Sequence, residues 1–230
     1  EYSFHLGNNN FANIRLIVND QRGYFPVNAI EDSKDIAMTR LLIISGHPDL
    51  DHSLANRTIL SDLQDLPGFQ VEQRRLDRLY PDFRIDVAAE QAALVQADII
   101  VWQFPLHWYA LPALLKKWVD DVLVFGFAHG TGGDKLHGKV LIQSFTTGAP
   151  AEAYAHGKPM NFTIEEFLPP QRQTAALCGM EYQSPIHSSA MMFIPGVSSD
   201  ADRANVEARA HNHADRLIAA LRNLSLRQAA

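Results

Sequence analysis

The chain has 230 residues, of which 47% are hydrophobic and 20% charged, proportions that argue against a disordered chain and against a disulfide scaffold. With 20 basic and 26 acidic side chains the formal net charge is −6, so a nucleic acid is not an expected partner. The single cysteine, Cys178, cannot form an intramolecular disulfide, and no apolar run approaches the ~20 residues that span a bilayer. A cytoplasmic location is therefore predicted.

The first 37 residues differ from the rest in their residue pattern, and they include three consecutive asparagines at 8–10. They lack the positively charged start and apolar core of a secretory signal. We interpret residues 1–37 as an N-terminal extension ahead of one domain over 38–230. The alternative is an ordinary β-hairpin packed on that domain.

From residue 41 onward, short apolar runs alternate with helical patterns, which predicts βαβ units around a central parallel sheet. Predicted strands occupy 41–45, 69–76, 98–104, 139–145 and 191–194. Predicted helices occupy 53–66, 87–97, 113–124, 165–178 and 199–223. His211 and His213 lie two apart in the last helix, so their side chains point in different directions, and both are interpreted as solvated. The predicted fold class is α/β, a three-layer sandwich.

Several nucleotide, metal and nucleophile motifs are incomplete. Residues 133–140 have the spacing of a P-loop, but Val140 stands where a P-loop has the magnesium-binding Ser or Thr. A P-loop also follows a strand, whereas this segment precedes one. Residues 130–133 begin like a dinucleotide fingerprint, yet Lys135 stands at its last glycine. No histidine pair has the helical spacing of a zinc protease, so no metal site is predicted. Cys178, in an apolar helix, is interpreted as a core residue.

Ligands of parallel sheets bind outside the carboxyl ends of the strands, so the loops there are the candidate site. The first, 46–56, ends in Ser53 and Asn56 at a helix start, where free N–H groups can hold a phosphate and His47 adds a donor. Ser53 can equally be a simple N-cap. The second, 105–112, carries Trp108 and Tyr109 between two prolines and could line a planar ring, although aromatic pairs are often core residues.

The third loop, 146–157, contains Gly148, which permits close backbone approach. Tyr154 and His156 could stabilise charge on a ring, or could be ordinary loop residues. Together the three loops predict a flavin pocket, with a phosphate at the first loop and the isoalloxazine between the other two.

A series of short motifs occurs in a fixed order along the chain, from about residue 40 to the final helix. They are His47-Pro48 with Ser53-x-Ala55-Asn56, Leu79-Tyr80-Pro81-Asp82-Phe83-x-Ile85-Asp86, Trp102-Gln103-x-Pro105-x-x-Trp108-Tyr109, Pro112-Ala113-Leu114-Leu115-Lys116-x-Trp118-x-Asp120, Gly126-Phe127-Ala128-x-Gly130, Leu136-x-Gly138-Lys139 and Thr146-Thr147-Gly148. In these residues the chain resembles the flavodoxin-like NAD(P)H quinone oxidoreductases. It is most similar to the small bacterial branch that includes the ancillary subunits of glutathione-gated potassium-efflux systems.

The resemblance implies a flavodoxin-like fold and a set of flavin-binding residues. They are His47, Ser53, Leu54, Ala55 and Asn56 on the phosphate side, and Pro105, Leu106, His107, Trp108, Thr146, Thr147, Gly148 and Ala149 around the isoalloxazine. Ala149 stands where the family pattern has glycine. Tyr154 and His156 look like the catalytic tyrosine and histidine of the larger quinone reductases, with a shorter spacing.

The resemblance also implies the reaction and the partners. The expected cofactor is FMN, with FAD as the alternative, and NADPH or NADH gives a hydride that passes to a quinone in a ping-pong reaction. The family pocket forms across a two-fold axis, so a homodimer is expected, with apolar contacts from Trp118 and Phe127. Two alternatives remain: a flavin-loaded regulatory subunit in peripheral contact with a potassium-efflux membrane protein, and an electron carrier of the flavodoxin type.

Overall fold

A parallel sheet with the strand order β2-β1-β3-β4-β5 forms the centre of the described domain, and β6 also pairs with β4. This computed structural model describes residues 38–228, so the predictions for 1–37 lie outside the described residues. The strands are β1 (Thr39–Ser45), β2 (Phe69–Arg75), β3 (Ile99–Pro105), β4 (Val140–Thr146), β5 (Glu181–Tyr182) and β6 (Ile186–Ser188). The helices are α1 (Leu54–Asp62), α2 (Leu76–Leu79), α3 (Val87–Gln96), α4 (Ala113–Val122), α5 (Pro169–Leu177) and α6 (Asp200–Gln228).

The inner strands β3 and β4 are buried along their whole length, and β1 is buried at all but one position. Such continuous apolar strands are typical of parallel sheets with helices on both faces. One face packs against α1 and α6, and the other packs against α3, α4 and α5. The predicted three-layer α/β fold is therefore confirmed. Within residues 38–228 no helix is long and apolar enough to cross a membrane.

The predicted strand 191–194 is wrong, because the last strand of the sheet comes earlier in the chain. Glu181 pairs with Val140 at one end of β4, and Ile186 pairs with Ser144 toward its other end. Pro185, which has no N–H to donate, lies in the segment that separates the two short strands. Residues 191–194 have no regular secondary structure and run past the carboxyl end of β4.

Three predicted helices differ from the observed ones by several residues in their bounds. The predicted helix 53–66 ends at Asp62. The predicted helix 165–178 is a 3-10 turn, Ile164–Phe167, followed by α5, which begins at a proline pair where a missing N–H costs little. The last helix runs to residue 228 rather than 223. Cys178 is buried, as the sequence predicts.

A buried carboxylate, Glu90, ties the helices on one face to β2. Its side chain accepts hydrogen bonds from Arg74 at 2.8 and 2.5 Å, from the Tyr80 hydroxyl at 2.5 Å and from Trp118 Nε1 at 2.8 Å. Both carboxylate oxygens are therefore satisfied in the core. Because Trp118 is fully buried in these contacts, its expected role in a dimer interface is wrong.

Candidate functional site

The loops that follow β1, β3 and β4 meet at the carboxyl edge of the sheet and enclose a cavity of about 330 Å³. The strands place them there because β1 pairs with β3 and β3 with β4 in parallel register. The lining residues are His47, His52, Ser53, Leu54, Ala55, Asn56, Pro105, Leu106, His107, Thr146, Thr147, Gly148, Met191, Met192 and Phe193. Most of the predicted flavin-binding residues line this cavity, and Trp108 and Ala149 do not.

The first loop presents the N-terminus of α1 to this cavity. Ser53 is the N-cap, and its Oγ accepts a hydrogen bond from the Asn56 N–H at 3.2 Å. For the N–H groups of Leu54 and Ala55, no backbone or side-chain acceptor is recorded within residues 38–228. A helix start with free N–H groups carries partial positive charge and favours an anion. Ser53 is therefore both a cap and a wall of the cavity.

An ion-pair network holds the first loop in place. Asp77 accepts a hydrogen bond from the Leu50 N–H at 3.1 Å and pairs with Arg75 at 2.7 Å. Arg75 also pairs with Asp51 at 3.0 Å, as does Arg78. The hydrogen bonds from these two arginines lower the pKa of Asp51 to about 2, so it is ionised at neutral pH.

His47 faces the cavity as a neutral hydrogen-bond donor. Burial, followed by the neighbouring His107, lowers its pKa to about 4. Its Nδ1 accepts a hydrogen bond from the Asp49 N–H at 3.0 Å, so the proton of the neutral ring lies on Nε2. Burial also lowers the pKa of His107, whose ring centroid lies 6.2 Å from that of His47.

The second loop contributes Pro105, Leu106 and His107 to the cavity wall but not its aromatic pair. Trp108 is 91% exposed, and both Trp108 and Tyr109 have positive φ angles, 47° and 62°, which are uncommon outside glycine. The Tyr109 ring stacks on Phe167 at 5.0 Å. The structure therefore separates Trp108 from the other predicted flavin residues of this loop.

The third loop lies against a segment that the sequence analysis did not identify as part of the site. Thr146, Thr147 and Gly148 line the cavity, while Ala149 does not. The Thr147 carbonyl accepts a hydrogen bond from the Met191 N–H at 2.9 Å, which brings 191–193 over the cavity. Residues 191–193 are apolar and belong to a predicted strand, so their sequence offers no reason to place them in the cavity wall.

The two predicted catalytic residues lie outside the cavity lining. Tyr154 is half-buried and packs against the core on the α4 side of the sheet. His156 is exposed, with Nε2 at 3.3 Å from a carboxylate oxygen of Glu166. Although both belong to the third loop, neither is brought together with the cavity-lining residues in this single chain.

A buried polar chain, which we call the core relay, connects α6 with the cavity. It begins at His213. The sequence-based interpretation of this residue as solvated is wrong, because its side chain is fully buried. His213 Nε2 lies 2.7 Å from Ser144 Oγ, Ser144 bonds to Gln103 Oε1, and Gln103 Nε2 donates to Asn56 Oδ1 at 2.9 Å. The Asn56 amide then donates to Thr146 Oγ1 at 3.1 Å. His211, by contrast, is exposed and pairs with a carboxylate of α1.

Residues 39–214 match the family model described as flavodoxin-like fold. The chain belongs to this family. It is 42% identical over 179 residues to KefF, the ancillary protein of a glutathione-regulated potassium-efflux system in Salmonella typhimurium, covering 78% of this chain and 96% of KefF.

Three solved structures extend the comparison. General stress protein 14 of Treponema denticola, in complex with FMN, is 33% identical, with a TM-score of 0.67 over 80% of this chain and 99% of that one. A structure described as a thermophilic tryptophan halogenase from Streptomycin violaceusniger is 36% identical, with a TM-score of 0.63 over 75% and 96%. An NADPH-quinone reductase from P. pentosaceus is 28% identical, with a TM-score of 0.58 over 75% and 98%. Because these relatives are named for different activities, the reaction has to be argued from the site.

Proposed function

We propose that the cavity binds a flavin and that the protein is a flavin-dependent NAD(P)H oxidoreductase whose acceptors are quinones. The observation that carries this is the donor set at the first loop. The residues that line the cavity supply two backbone N–H groups at the start of α1 that have no acceptor within residues 38–228, the Ser53 hydroxyl and His47 Nε2–H. Such a set fits a phosphate group, and the apolar and backbone groups at 105–107 and 146–148 fit a flat ring beside it.

FMN is the proposed cofactor, with FAD as the alternative. The T. denticola relative was solved with FMN, and one relative is an NADPH-quinone reductase. When bound, a flavin would supply two-electron chemistry between a nicotinamide donor, NADPH or NADH, and a quinone acceptor in alternating half-reactions. The residues that line the cavity would hold and orient the cofactor.

Tyr154 and His156 are proposed to act as hydrogen-bond donors to charge that develops during reduction, or to protonate the quinone oxygen. This role requires them to approach the cavity, since neither lines it in the single chain. Tyr154→Phe and His156→Gln together are expected to lower quinone reduction while leaving bound flavin in place. Unchanged turnover with flavin fully bound would remove both residues from the mechanism.

The proposal is tested by titrating the purified protein with FMN and following flavin fluorescence and visible absorption. Bleaching by NADPH or NADH and recovery on adding a quinone would support the complete reaction. Ser53→Ala is expected to weaken FMN binding, and Ser61→Ala, at the exposed far end of the same helix, is the matched control. Failure of the wild-type protein to bind any flavin would overturn the proposal.

Homodimer formation is proposed as part of this function. Trp108 follows the cavity-lining His107, has a positive φ angle and is 91% exposed, so a large apolar side chain is left without a cover in the described chain. Trp108→Ala is expected to weaken the dimer in sedimentation equilibrium. A wild-type monomer with full reductase activity at nanomolar concentration would contradict this expectation.

A regulatory role is the second candidate, favoured by the 42% identity to KefF. In that case the flavin-loaded protein would contact a potassium-efflux membrane protein from its cytoplasmic side. Co-purification with such a transporter and a change in potassium efflux when the protein is absent would support this role. A reductase that is fully active but never co-purifies with the transporter would favour the enzyme alone.

A further inference from the structure

The core relay leads from His213 to hydroxyl groups in the cavity, and behind His213 the Ser188 hydroxyl accepts a hydrogen bond from Arg216 on the surface. We propose that the core relay is oriented so that Ser53 and Thr146 offer their hydroxyl hydrogens to acceptor oxygens of the bound ligand, and that Arg216, acting through Ser188 and His213, stabilises this orientation. Arg216 and His213 are then positioning residues. The identity of the ligand as a flavin rests on the proposed function, whereas the direction of the relay does not.

The direction follows first from Ser144, which has only one hydrogen to donate. Its Oγ donates that hydrogen to Gln103 Oε1, so it can only accept from His213. His213 Nε2 therefore carries a proton. Because a neutral imidazole has one N–H, Nδ1 is then an acceptor.

His213 is held in its neutral form by its surroundings. Burial is the main cause, and the nearby Arg216 and His187 add to it, lowering the pKa of His213 to about 3. The groups that hydrogen-bond to its ring within the described residues are two hydroxyls, Ser144 from β4 and Ser188 from β6. A neutral ring with one donor and one acceptor fits between two hydroxyls that each donate once.

Arg216 fixes the other end, because a guanidinium group can donate but never accept. Its Nη2 donates to Ser188 Oγ at 2.7 Å and to the His187 carbonyl at 2.9 Å. Ser188 Oγ lies 3.0 Å from His213 Nδ1. The Ser144 contact leaves Nδ1 without a hydrogen, so the Ser188 hydrogen points at Nδ1 while Arg216 donates to one lone pair of the same oxygen. This arrangement stabilises the tautomer that Ser144 requires.

The consequence appears at the cavity end. Asn56 uses its side-chain NH₂ for Thr146 Oγ1 at 3.1 Å and Ser53 Oγ at 3.3 Å. Both hydroxyl oxygens are thus acceptors within the protein, and no side-chain acceptor is recorded for the Ser53 and Thr146 hydrogens in the described part of the chain. Since both residues line the cavity, these hydrogens are available to a ligand. The opposite tautomer of His213 would reverse both amides and use those hydrogens inside the protein.

The first test reads the tautomer directly and needs no flavin. Nitrogen chemical shifts of His213 in the isotope-labelled protein, measured by NMR, are expected to show Nε2 protonated and Nδ1 bare. In Arg216→Met, a substitution at an exposed position, the ring is expected to populate the other tautomer as well. A wild-type ring protonated on Nδ1, or on both nitrogens at neutral pH, would overturn the inference.

The second test measures FMN affinity by fluorescence quenching. Arg216→Met and His213→Asn are each expected to raise the Kd for FMN by about tenfold, the scale of losing one well-oriented hydrogen bond to a charged group. His213→Gln, whose amide reaches as far as Nε2, is expected to restore most of the affinity. Arg222→Met, an exposed substitution on the same helix, is the control and is expected to bind like the wild type.

The outcomes separate the two proposals. If the wild-type protein binds FMN and Arg216→Met binds it equally tightly, the relay does not orient the ligand donors and the inference is wrong. An equal loss in Arg222→Met would also overturn it, since the effect would then follow from helix charge. If the wild-type protein binds no FMN, the proposed function fails together with the ligand end of the inference, while the NMR result still decides the direction of the relay.

Discussion

Acidification should destabilise the folded protein through His213. The pKa of this side chain falls from its ordinary value of 6.5 to about 3 in the folded state, mainly because the ring is buried. Between these two values the unfolded chain binds a proton that the folded chain does not, so stability decreases as the pH falls. Above pH 6.5 the ring is neutral in both states and contributes no pH dependence.

The magnitude follows from the separation between the pH and the unfolded pKa. At pH 5, which is 1.5 units below the unfolded pKa, protonation of the side chain stabilises the unfolded state by about 2 kcal/mol. The folded side chain is still neutral at this pH. The loss continues toward pH 3 and then stops, because the folded form also takes up the proton there. Against a typical domain stability of roughly 5–15 kcal/mol, a change of this size is readily measured.

The assay is urea unfolding at pH 7, 6 and 5, followed by tryptophan fluorescence, for the wild type and His213→Gln. Glutamine does not titrate, so the free energy of unfolding should fall by about 2 kcal/mol less in the variant between pH 7 and pH 5. Carboxylates and the buried His47 contribute to both proteins and cancel in the difference. His211→Gln, at an exposed position on the same helix, controls for the removal of a histidine. Parallel pH dependences for the wild type and His213→Gln would refute the reasoning.

Three further substitutions test other parts of the structure. Glu90→Ala leaves the Arg74 guanidinium without its buried partner, so the free energy of unfolding in urea titrations is expected to fall by about 3–5 kcal/mol. An effect under about 1 kcal/mol would mean that the pair is not buried in solution. Gly46→Ala would place a Cβ 2.6 Å from Leu115 Cδ2, so we expect a loss of about 1–3 kcal/mol by thermal unfolding, and none if α4 can shift freely. Asn56→Asp adds a negative charge at the proposed phosphate end, so the Kd for FMN should rise by about tenfold or more in a fluorescence titration; unchanged affinity would place the phosphate elsewhere.

The sequence was a good guide to the inner strands and a poor guide to the edge of the sheet. β3 and β4 are apolar on both faces, so their hydrophobic runs were visible without knowledge of their neighbours. β5 and β6 are short, and each needs only a few hydrogen bonds to β4, so neither has a pattern of its own. The run at 191–194 looked more strand-like, but its hydrogen-bonding partners lie beyond the sheet.

The cavity was predictable because parallel strands bring their following loops to one edge, and the loops after β1, β3 and β4 are rich in donors. The burial of His213 was not recognised, although a signal existed. Val206, Ala210, Leu217 and Leu221 mark the buried stripe of α6, and His213 lies within it at spacings of three and four residues. A polar residue in an apolar stripe predicts a buried hydrogen-bond partner, and Ser144 could have been found by that reasoning.

The way this cavity would hold an anion leads to a final prediction. The chain carries a formal charge of −6, and no lysine or arginine lines the cavity in the part of the chain that the structure describes. His47 is neutral because burial and His107 lower its pKa to about 4. The attraction for a phosphate must therefore come from N–H and O–H dipoles at short range, which salt screens much less than it screens separated charges.

Affinity for FMN should consequently hold or rise as salt increases, because salt also screens the repulsion between the acidic chain and the anionic cofactor. The measurement is the Kd for FMN at low and at physiological ionic strength, with Ser53→Ala titrated in parallel. A neutral donor removed by that substitution should weaken binding by a similar factor at both salt concentrations. A steep loss of wild-type affinity with salt would instead indicate a cationic side chain at the phosphate. His52 would be the first candidate, because it lines the same cavity and its hydrogen bond to Asp49 raises its pKa.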